Sequence, residues 1–312
     1  MAFKNITVAG GGVLGSQIAF QTAYKGFNVT VWLRSEGSID RAKPKFERWR
    51  DTYLATLEAM KTNKAAYARG LAPSPDLPAE EIDKLKAQVL AAFDSLTFTT
   101  SYEEAAKDDD LVIEAIAEDP AQKTAFYQEL AKFLPEKTVL VTNSSTLLPS
   151  QFAEATGRPE KYLALHFANE IWRNNTAEVM GHPGTDPAYY QQVVEFADQI
   201  GMVPLELHKE QPGYILNSML VPFLTAAEAL FANDVADPET IDKTWMLATG
   251  APAGPFHILD IVGLVTAYNI VVMNPQAKDP ATTPGKIAAK LKSYIDAGKT
   301  GVNAGEGFFK YN

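Results

Sequence analysis

Asn5-Ile6-Thr7-Val8-Ala9-Gly10-Gly11-Gly12-Val13-Leu14-Gly15 reads as a short apolar strand running into a glycine turn. An amphipathic helical pattern follows the turn, and a second apolar strand, Val29-Thr30-Val31-Trp32, follows the helix. Glycines in the turn let backbone approach a pyrophosphate, and the helix start offers unpaired amides and the positive end of its dipole. Strand, turn, helix and strand in this register specify a dinucleotide cradle, with Gly10, Gly12, Val13, Leu14 and Gly15 as its contact residues. The second strand of such a cradle ordinarily ends in an acid that accepts hydrogen bonds from the adenosine ribose. Here it ends in Leu33-Arg34-Ser35. A guanidinium suits a phosphate and Leu33 brings no competing carboxylate, so Arg34 and Ser35 are expected to bind a 2′-phosphate. NADP(H) is then the preferred cofactor, with NAD(H) as the alternative. Arg41, Lys43, Lys45, Arg48 and Arg50 follow and could add positive potential toward a phosphorylated ligand, but Asp40, Glu47 and Asp51 lie among them, which favours a solvated helix face.

The chain has 312 residues, enough for one large or two medium domains, and two are favoured. A formal charge of -10 argues against a nucleic-acid partner, because affinity for phosphate backbones comes mainly from Lys and Arg. No cysteine is present, which excludes disulfides, thiolate catalysis and Cys-ligated zinc and suits a cytoplasmic setting. His166, His182, His208 and His257 show no metal-ligand spacing, so no metal is expected. The N-terminal pattern does not resemble a signal peptide, and no apolar run reaches the length of a membrane span, so no membrane partner is expected.

Strand and helix patterns alternate through the first two hundred residues, which predicts a parallel, doubly wound α/β sheet of Rossmann type. Further strands are expected at Leu111 to Ile116, Thr138 to Thr142, Tyr162 to His166, Ala177 to Met180 and Val203 to Leu207. Residues 38–95 read as an inserted, projecting helical hairpin: a charged helix from Ile39 to Lys61, the breaker run Leu71 to Pro78, and a helix to Phe93. Beyond Gln211 no strand pattern recurs, and helices are expected at Gly213 to Asn233, Pro238 to Thr249, Phe256 to Met273 and Ile287 to Ala297. The expected division is a dinucleotide-binding domain over residues 1–209 and an all-helical substrate and dimerisation domain over residues 210–312.

Thr142-Asn143-Ser144-Ser145-Thr146 follows an apolar strand directly, where open α/β sheets bind their ligands; the same small polar residues also suit a helix cap. Leu163-Ala164-Leu165-His166-Phe167-Ala168-Asn169 places a histidine at the next strand end, and Glu178 lies on the neighbouring strand. The two side chains can meet across a hairpin-like connection, and a paired carboxylate would orient the imidazole for proton exchange near neutrality. A histidine at a strand end is otherwise more often structural.

With these segments in place the chain resembles the 3-hydroxyacyl-CoA dehydrogenase family over nearly its whole length. The resemblance rests on Gly10 to Gly15, Glu114-Ala115-Ile116-Ala117-Glu118, Asn143-Ser144-Ser145, His166-Phe167-Ala168-Asn169 and Pro212-Gly213-Tyr214-Ile215-Leu216-Asn217. It continues through Gly250 to Phe256, Asp260, Gly263-Leu264 and the ending from Gly298 to Tyr311. It implies that His166 is the catalytic acid and base, that Glu178 orients it, that Ser145 hydrogen-bonds the reacting oxygen, and that Asn217 helps position the substrate in an interdomain cleft. Glu118 and Lys123 match positions near the nicotinamide end, with Asn143 beside them; Lys123 by itself reads equally as an exposed helix residue. The implied reaction moves a hydride between a nicotinamide and a 3-oxo or 3-hydroxy compound, foremost a 3-hydroxyacyl-CoA of fatty acid metabolism. A homodimer is implied by resemblance to dimeric relatives.

The chain departs from the family at several places. Leu33-Arg34 replaces the acid of NAD-using members, Ala168 and Glu170 replace the usual Phe and Pro, Ile171 to Asn175 replaces a mostly apolar segment, and Ser218 stands where an Arg usually follows the Asn. Trp172 and Arg173 are expected to shape a pocket for a small acid or keto ester, unless Trp172 simply covers apolar surface. Free hydroxy or keto acids and diketo esters therefore stand as the alternative substrates. A catalytically inactive cofactor-binding or structural protein is the alternative of another class. The related β-hydroxyacid dehydrogenases carry a catalytic Lys four residues before their Asn, where this chain has Gly213.

Overall fold

Strand β1 (Asn5–Ala9) enters the glycine turn and leaves it as helix α1 (Val13–Tyr24), after which β2 (Asn28–Trp32) pairs with β1 in parallel. The computed structural model describes residues 3–311. Six more strands extend the sheet: β3 (Thr97–Thr99), β4 (Leu111–Glu114), β5 (Val139–Thr142), β6 (Tyr162–Phe167), β7 (Thr176–Met180) and β8 (Val203–Leu207). Their order is β3-β2-β1-β4-β5-β6-β7-β8, parallel from β3 to β6, with β7 antiparallel to β6 and β8 parallel to β7. The order reverses between β1 and β4, so the carboxyl ends of β1, β4, β5 and β6 bound the crevice where doubly wound sheets take ligands.

Alternation along each strand sorts side chains to the two faces. Ile6, Val8, Val31, Ile113 and Val141 point to a core shared with α1, and Ala9, Trp32, Val112 and Leu140 point to a second core on the opposite face. Each fully buried Val, Ile or Leu contributes about 1.5–3 kcal/mol. Helices α2 (Glu36–Met60) and α3 (Ala79–Ser95) lie against the first face, with α4 (Tyr102–Ala106) and α5 (Pro120–Leu130) on the second and α6 (Pro187–Gln199) before β8.

The expected projecting hairpin is instead docked on α1. Ile39, Ala42, Phe46, Trp49, Tyr53 and Leu57 recur along α2 as one buried stripe, the helical period that lays a face on a core. Trp49 Nε1 donates to Ser16 Oγ at 2.8 Å and the Tyr53 hydroxyl to Gln21 Oε1 at 2.7 Å. The breaker run is tied down as well, since the Tyr24 hydroxyl donates to the Leu71 carbonyl at 2.8 Å.

A second unit begins at Leu216, and residues up to Ile215 form the first. It contains α7 (Leu216–Ala232), α8 (Pro238–Thr249), α9 (Pro255–Val262), α10 (Leu264–Val272) and α11 (Thr283–Asp296) around Leu224, Phe256, Leu259, Leu264, Ile287 and Leu291. Its buried Asp260 is held by backbone, accepting from the amides of Phe308 and Phe309 at 2.8 and 2.9 Å. A Cβ on Gly307 would stand 2.0 Å from Asp260 Oδ1 and one on Gly301 2.3 Å from the Asp260 carbonyl oxygen, so these two glycines serve close packing.

Three further expectations need correction, and one strand is absent from the sequence reading. Strand β3 carries no sequence pattern because it is three residues long and pairs only with β2. The helix expected from Gly213 starts at Leu216, because Gly213 and Tyr214 have φ of 79° and 53°. The helix expected from Phe256 to Met273 is two helices bent by 96° at Gly263, whose φ is 92°. The units part after Ile215 and not at residue 209, because Gln211 N donates to Met180 Sδ and Ile215 N to Glu178 Oε1. Among the described residues no single helix is long and apolar enough to cross a membrane.

Candidate active site

The glycine turn shapes a surface that a bulkier residue would fill. A Cβ on Gly10, whose φ is 121°, would lie 2.3 Å from the Ala115 carbonyl oxygen, and one on Gly15 would lie 2.4 Å from the Gly10 carbonyl oxygen. A Cβ on Gly12 would meet nothing within 4 Å, so this residue faces open space at the start of α1. That helix start has no side-chain cap and no acid in its first turn, which leaves its amides and dipole for an anion.

On one side of the turn lies a cavity of about 650 Å³ lined by Gly10, Gly12, Leu33 and Arg34. Ser38, Arg41 and Lys45 also line it. Ser35 Oγ is engaged with Ser38 Oγ at 2.9 Å, Arg41 donates to Ser38 Oγ at 2.9 Å, and Lys45 Nζ donates to the Gly11 carbonyl at 2.7 Å. The expected solvated helix face holds for Lys43 and Arg48, which are exposed, while the exposed Arg41 and the half-buried Lys45, one helical turn apart, line the cavity. Three cations thus converge on this cavity.

On the other side a cavity of about 330 Å³ is lined by Gly12, Val13, Leu14, Gly15, Glu118, Lys123, Asn143 and Ser145. Lys123 is 1% exposed, so its reading as a surface residue is corrected. Its ammonium lies 2.6 Å from Glu114 Oε1 and 3.5 Å from Glu118 Oε2. Glu114, itself fully buried, also accepts from the Ile116 amide at 2.9 Å, the Tyr127 hydroxyl at 2.5 Å and Thr142 Oγ1 at 2.8 Å. Four donors match the acceptor capacity of a carboxylate, which is what makes a buried charge tolerable.

Glu118 reaches across to the loop after β5. Its Oε1 accepts from Ser144 Oγ at 2.5 Å and from the amides of Ser145 and Thr146 at 3.1 and 3.0 Å. Burial alone would raise its carboxyl, but the hydrogen bonds from Ser144 and Thr146 and the charge of Lys123 hold it below the usual range. Asn143 Oδ1 accepts from the Phe167 amide at 3.0 Å, linking the ends of β5 and β6. Two strand ends are therefore fixed beside one cavity.

His166 stands at the end of β6, directly opposite Glu178 in the antiparallel pairing with β7. Its Nδ1 lies 3.0 Å from Glu178 Oε2 and its Nε2 lies 3.2 Å from Ser145 Oγ. A carboxylate only accepts, so the neutral ring carries its proton on Nδ1 and presents a lone pair at Nε2. Glu178 Oε1 accepts from the Ile215 amide at 2.8 Å, which fixes the carboxylate in turn. The Tyr214 ring stacks on the imidazole at 4.3 Å and 10°. An imidazole so held can take a proton at Nε2 and return it, with a hydroxyl beside it for hydrogen bonding to an oxygen.

Ser145, His166 and Glu178 are thus brought together, and Glu118, Lys123 and Asn143 gather at the neighbouring cavity. Asn217 is the second residue of α7, in the second unit. Trp172 does not shape a pocket: it is 4% exposed and its ring packs 5.4 Å from Trp49 and 5.6 Å from Tyr53. Tyr214, Glu114, Ser38 and Tyr127 are contributions absent from the sequence reading. Glu114, lying inside an apolar strand, carried a signal, since an acid there needs a buried partner.

Residues 5–211 match the 3-hydroxyacyl-CoA dehydrogenase NAD binding domain and residues 213–311 the C-terminal domain of the same family. The human mitochondrial hydroxyacyl-coenzyme A dehydrogenase is 31% identical over 99% of this chain and 91% of its own length. A 3-hydroxybutyryl-CoA dehydrogenase of Clostridioides difficile is 30% identical over 98% of this chain and 99% of its own. Among solved structures, a diketoreductase studied for dual catalysis of dicarbonyl compounds is 48% identical with a TM-score of 0.85, covering all of both chains. The chain belongs to the 3-hydroxyacyl-CoA dehydrogenase family, nicotinamide-dependent oxidoreductases that act on CH–OH groups.

Proposed function

We propose that this enzyme interconverts a 3-oxo and a 3-hydroxy compound, foremost a 3-hydroxyacyl-CoA, with His166 as the proton donor and acceptor. The observation that carries the reading is the His166 imidazole held between Glu178 at 3.0 Å and Ser145 at 3.2 Å. The glycine turn, with Glu118, Lys123 and Asn143, would hold a nicotinamide cofactor, which would supply or accept the hydride when bound. In reduction, His166 Nε2 gives its proton to the ketone oxygen while Ser145 Oγ hydrogen-bonds that oxygen. In oxidation, Nε2 removes the hydroxyl proton and Glu178 stabilises the resulting imidazolium. Asn217 helps position the substrate. His166→Asn is the test: loss of turnover with retained cofactor binding supports the assignment, and wild-type turnover rejects it.

For the cofactor, NADP(H) is the proposed preference, supported by Arg34, Arg41 and Lys45 around one cavity and by the absence of an acid after β2. Fluorescence titration of NADPH and NADH against wild type and Arg34→Asp checks it. Equal affinity of the wild type for both, or an unchanged ratio in the variant, rejects it.

A second substrate reading is favoured by the 48% identity to a diketoreductase: a dicarbonyl compound without a CoA handle. Turnover of acetoacetyl-CoA, free acetoacetate and a diketo ester under one set of conditions separates the two. Preference for the thioester supports the first reading, and preference for the diketo ester supports the second.

A further inference from the structure

We propose that Tyr214 is a positioning residue for the reaction, keeping the His166 ring and the Ser145 hydroxyl in register through its two ends. This rests on the reading of His166 as the proton donor and acceptor. The ring end lies face to face with the imidazole at 4.3 Å and 10°, which blocks rotation of His166 about its side-chain bonds. The hydroxyl end donates to the Ser144 carbonyl at 2.7 Å, and the next residue carries the Oγ that lies 3.2 Å from His166 Nε2. One side chain therefore spans both partners of the proton-transfer pair.

The backbone argues that this placement is imposed by its surroundings. Tyr214 has φ of 53°, a left-handed conformation that disfavours a residue with a Cβ, and it follows Gly213 at φ 79°. Such a conformation persists where neighbouring contacts over-determine it. Here the Tyr214 amide donates to the Gln211 carbonyl at 3.0 Å, and the Ile215 amide donates to Glu178 at 2.8 Å. The same short turn thus grips Glu178 by backbone, His166 by ring and the Ser144–Ser145 loop by hydroxyl. Burial, with the charges of Glu118, Glu178 and Glu114, pushes the Tyr214 phenol far up, so the hydroxyl stays a donor across the working range.

A stacked imidazolium gains attraction from the ring face that a neutral imidazole lacks. The tyrosine therefore favours the charged form that arises when His166 accepts a proton. Tyr214 also packs with Ala164 and Met180 in a small core. A purely structural role in that core would alter stability and leave turnover per folded molecule alone.

Steady-state kinetics of Tyr214→Leu and Tyr214→Phe, on whichever of acetoacetyl-CoA and the diketo ester turns over faster, separate these roles. The leucine variant is expected to lose roughly 10- to 100-fold in kcat, the cost of a misplaced reacting group, with KM and cofactor Kd within about twofold of wild type. The phenylalanine variant keeps the stack and loses only the tether, so its kcat should recover to within about threefold of wild type. Thermal melting of both variants identifies a folding defect, and Tyr214→Met, which keeps bulk but no aromatic face, takes the place of the leucine variant if that one does not fold. The proposal is overturned by wild-type kcat in Tyr214→Leu, by KM and cofactor Kd moving as far as kcat, or by Tyr214→Phe being as impaired as a folded Tyr214→Leu. Wild-type turnover in His166→Asn would instead reject the reading on which the proposal rests.

Discussion

His166 and His257 each hold a carboxylate through Nδ1, at 3.0 Å to Glu178 and 2.9 Å to Asp242, yet the surroundings of the two pairs differ. His166 is 6% exposed, its Nε2 faces Ser145, and it stands at a strand end beside a cavity lined by the glycine turn. The His257 side chain is 42% exposed, its ring stacks on Phe309 at 4.1 Å, and among the described residues nothing hydrogen-bonds its Nε2. The carboxylates differ too. Glu178 accepts the Ile215 amide from the turn before α7, whereas Asp242 accepts the amides of Phe256 and His257 and so caps the start of α9. On the proposed reading of His166, a His–carboxylate pair is not by itself a signature of proton transfer; what the second ring nitrogen faces decides the role.

The largest effect expected from this contrast is on His166. His166→Asn should lower kcat/KM by about 10³-fold, within the usual range for a general acid and base, and leave cofactor Kd within about twofold. Steady-state kinetics with a fluorescence titration of cofactor measure both quantities. A loss below tenfold would place His166 with His257 and erase the contrast.

Next in size is Glu178→Gln. The amide oxygen can still accept from Nδ1, so the ring orientation survives in part, but the charge that stabilises an imidazolium is gone. A loss of roughly 10- to 100-fold in kcat is expected, about 1.4 kcal/mol for each tenfold. An unchanged kcat would make Glu178 a structural acceptor like Asp242.

The contrast also explains what the sequence could and could not reveal. His166 and Glu178 were legible because a hairpin-like connection between two strands makes them cross-strand neighbours, and Ser145 because carboxyl strand ends collect ligands in such sheets. Tyr214 was not legible, since an apolar run through Met219 and Leu220 reads as continuous helix and a positive φ leaves no mark on hydrophobic periodicity. Trp172 escaped for another reason: its partners Trp49 and Tyr53 lie more than a hundred residues away, and local patterning carries no contact of that range. Strand β3 is too short to alternate, and Gly263 breaks a helical run whose apolar period continues through it. Lys123 shows the same limit in charge, because its burial depends on Glu114, nine residues before it and at the end of a different element.

Asp242 gives the third prediction, and its readout is stability. Asp242→Ala removes the acceptor of two amides and of His257 Nδ1, and the carboxylate is buried. The helical unit should lose about 2–4 kcal/mol in denaturant unfolding, while kcat per folded molecule stays within about twofold. A kcat loss as large as that of Glu178→Gln would mean that Asp242 takes part in the reaction.

The smallest effect is expected from His257→Phe, and its smallness is the sharpest form of the comparison. Phenylalanine preserves the face against Phe309 and gives up only the Nδ1 hydrogen bond, while Asp242 keeps both backbone donors. Asp242 is buried and His257 half exposed, and the carboxylate oxygen that loses Nδ1 keeps the His257 amide, so the change costs one hydrogen bond, about 0.5–1 kcal/mol. Unfolding free energy should therefore fall by under about 1 kcal/mol, and kcat, KM and cofactor Kd should all stay within about twofold of wild type. The same class of substitution at His166 is expected to cost about a thousandfold, although the two Nδ1 contacts differ by only 0.1 Å. A tenfold or greater loss of kcat in His257→Phe, with the unit still folded, would show that the second histidine serves turnover and that the occupant of Nε2 is the wrong criterion.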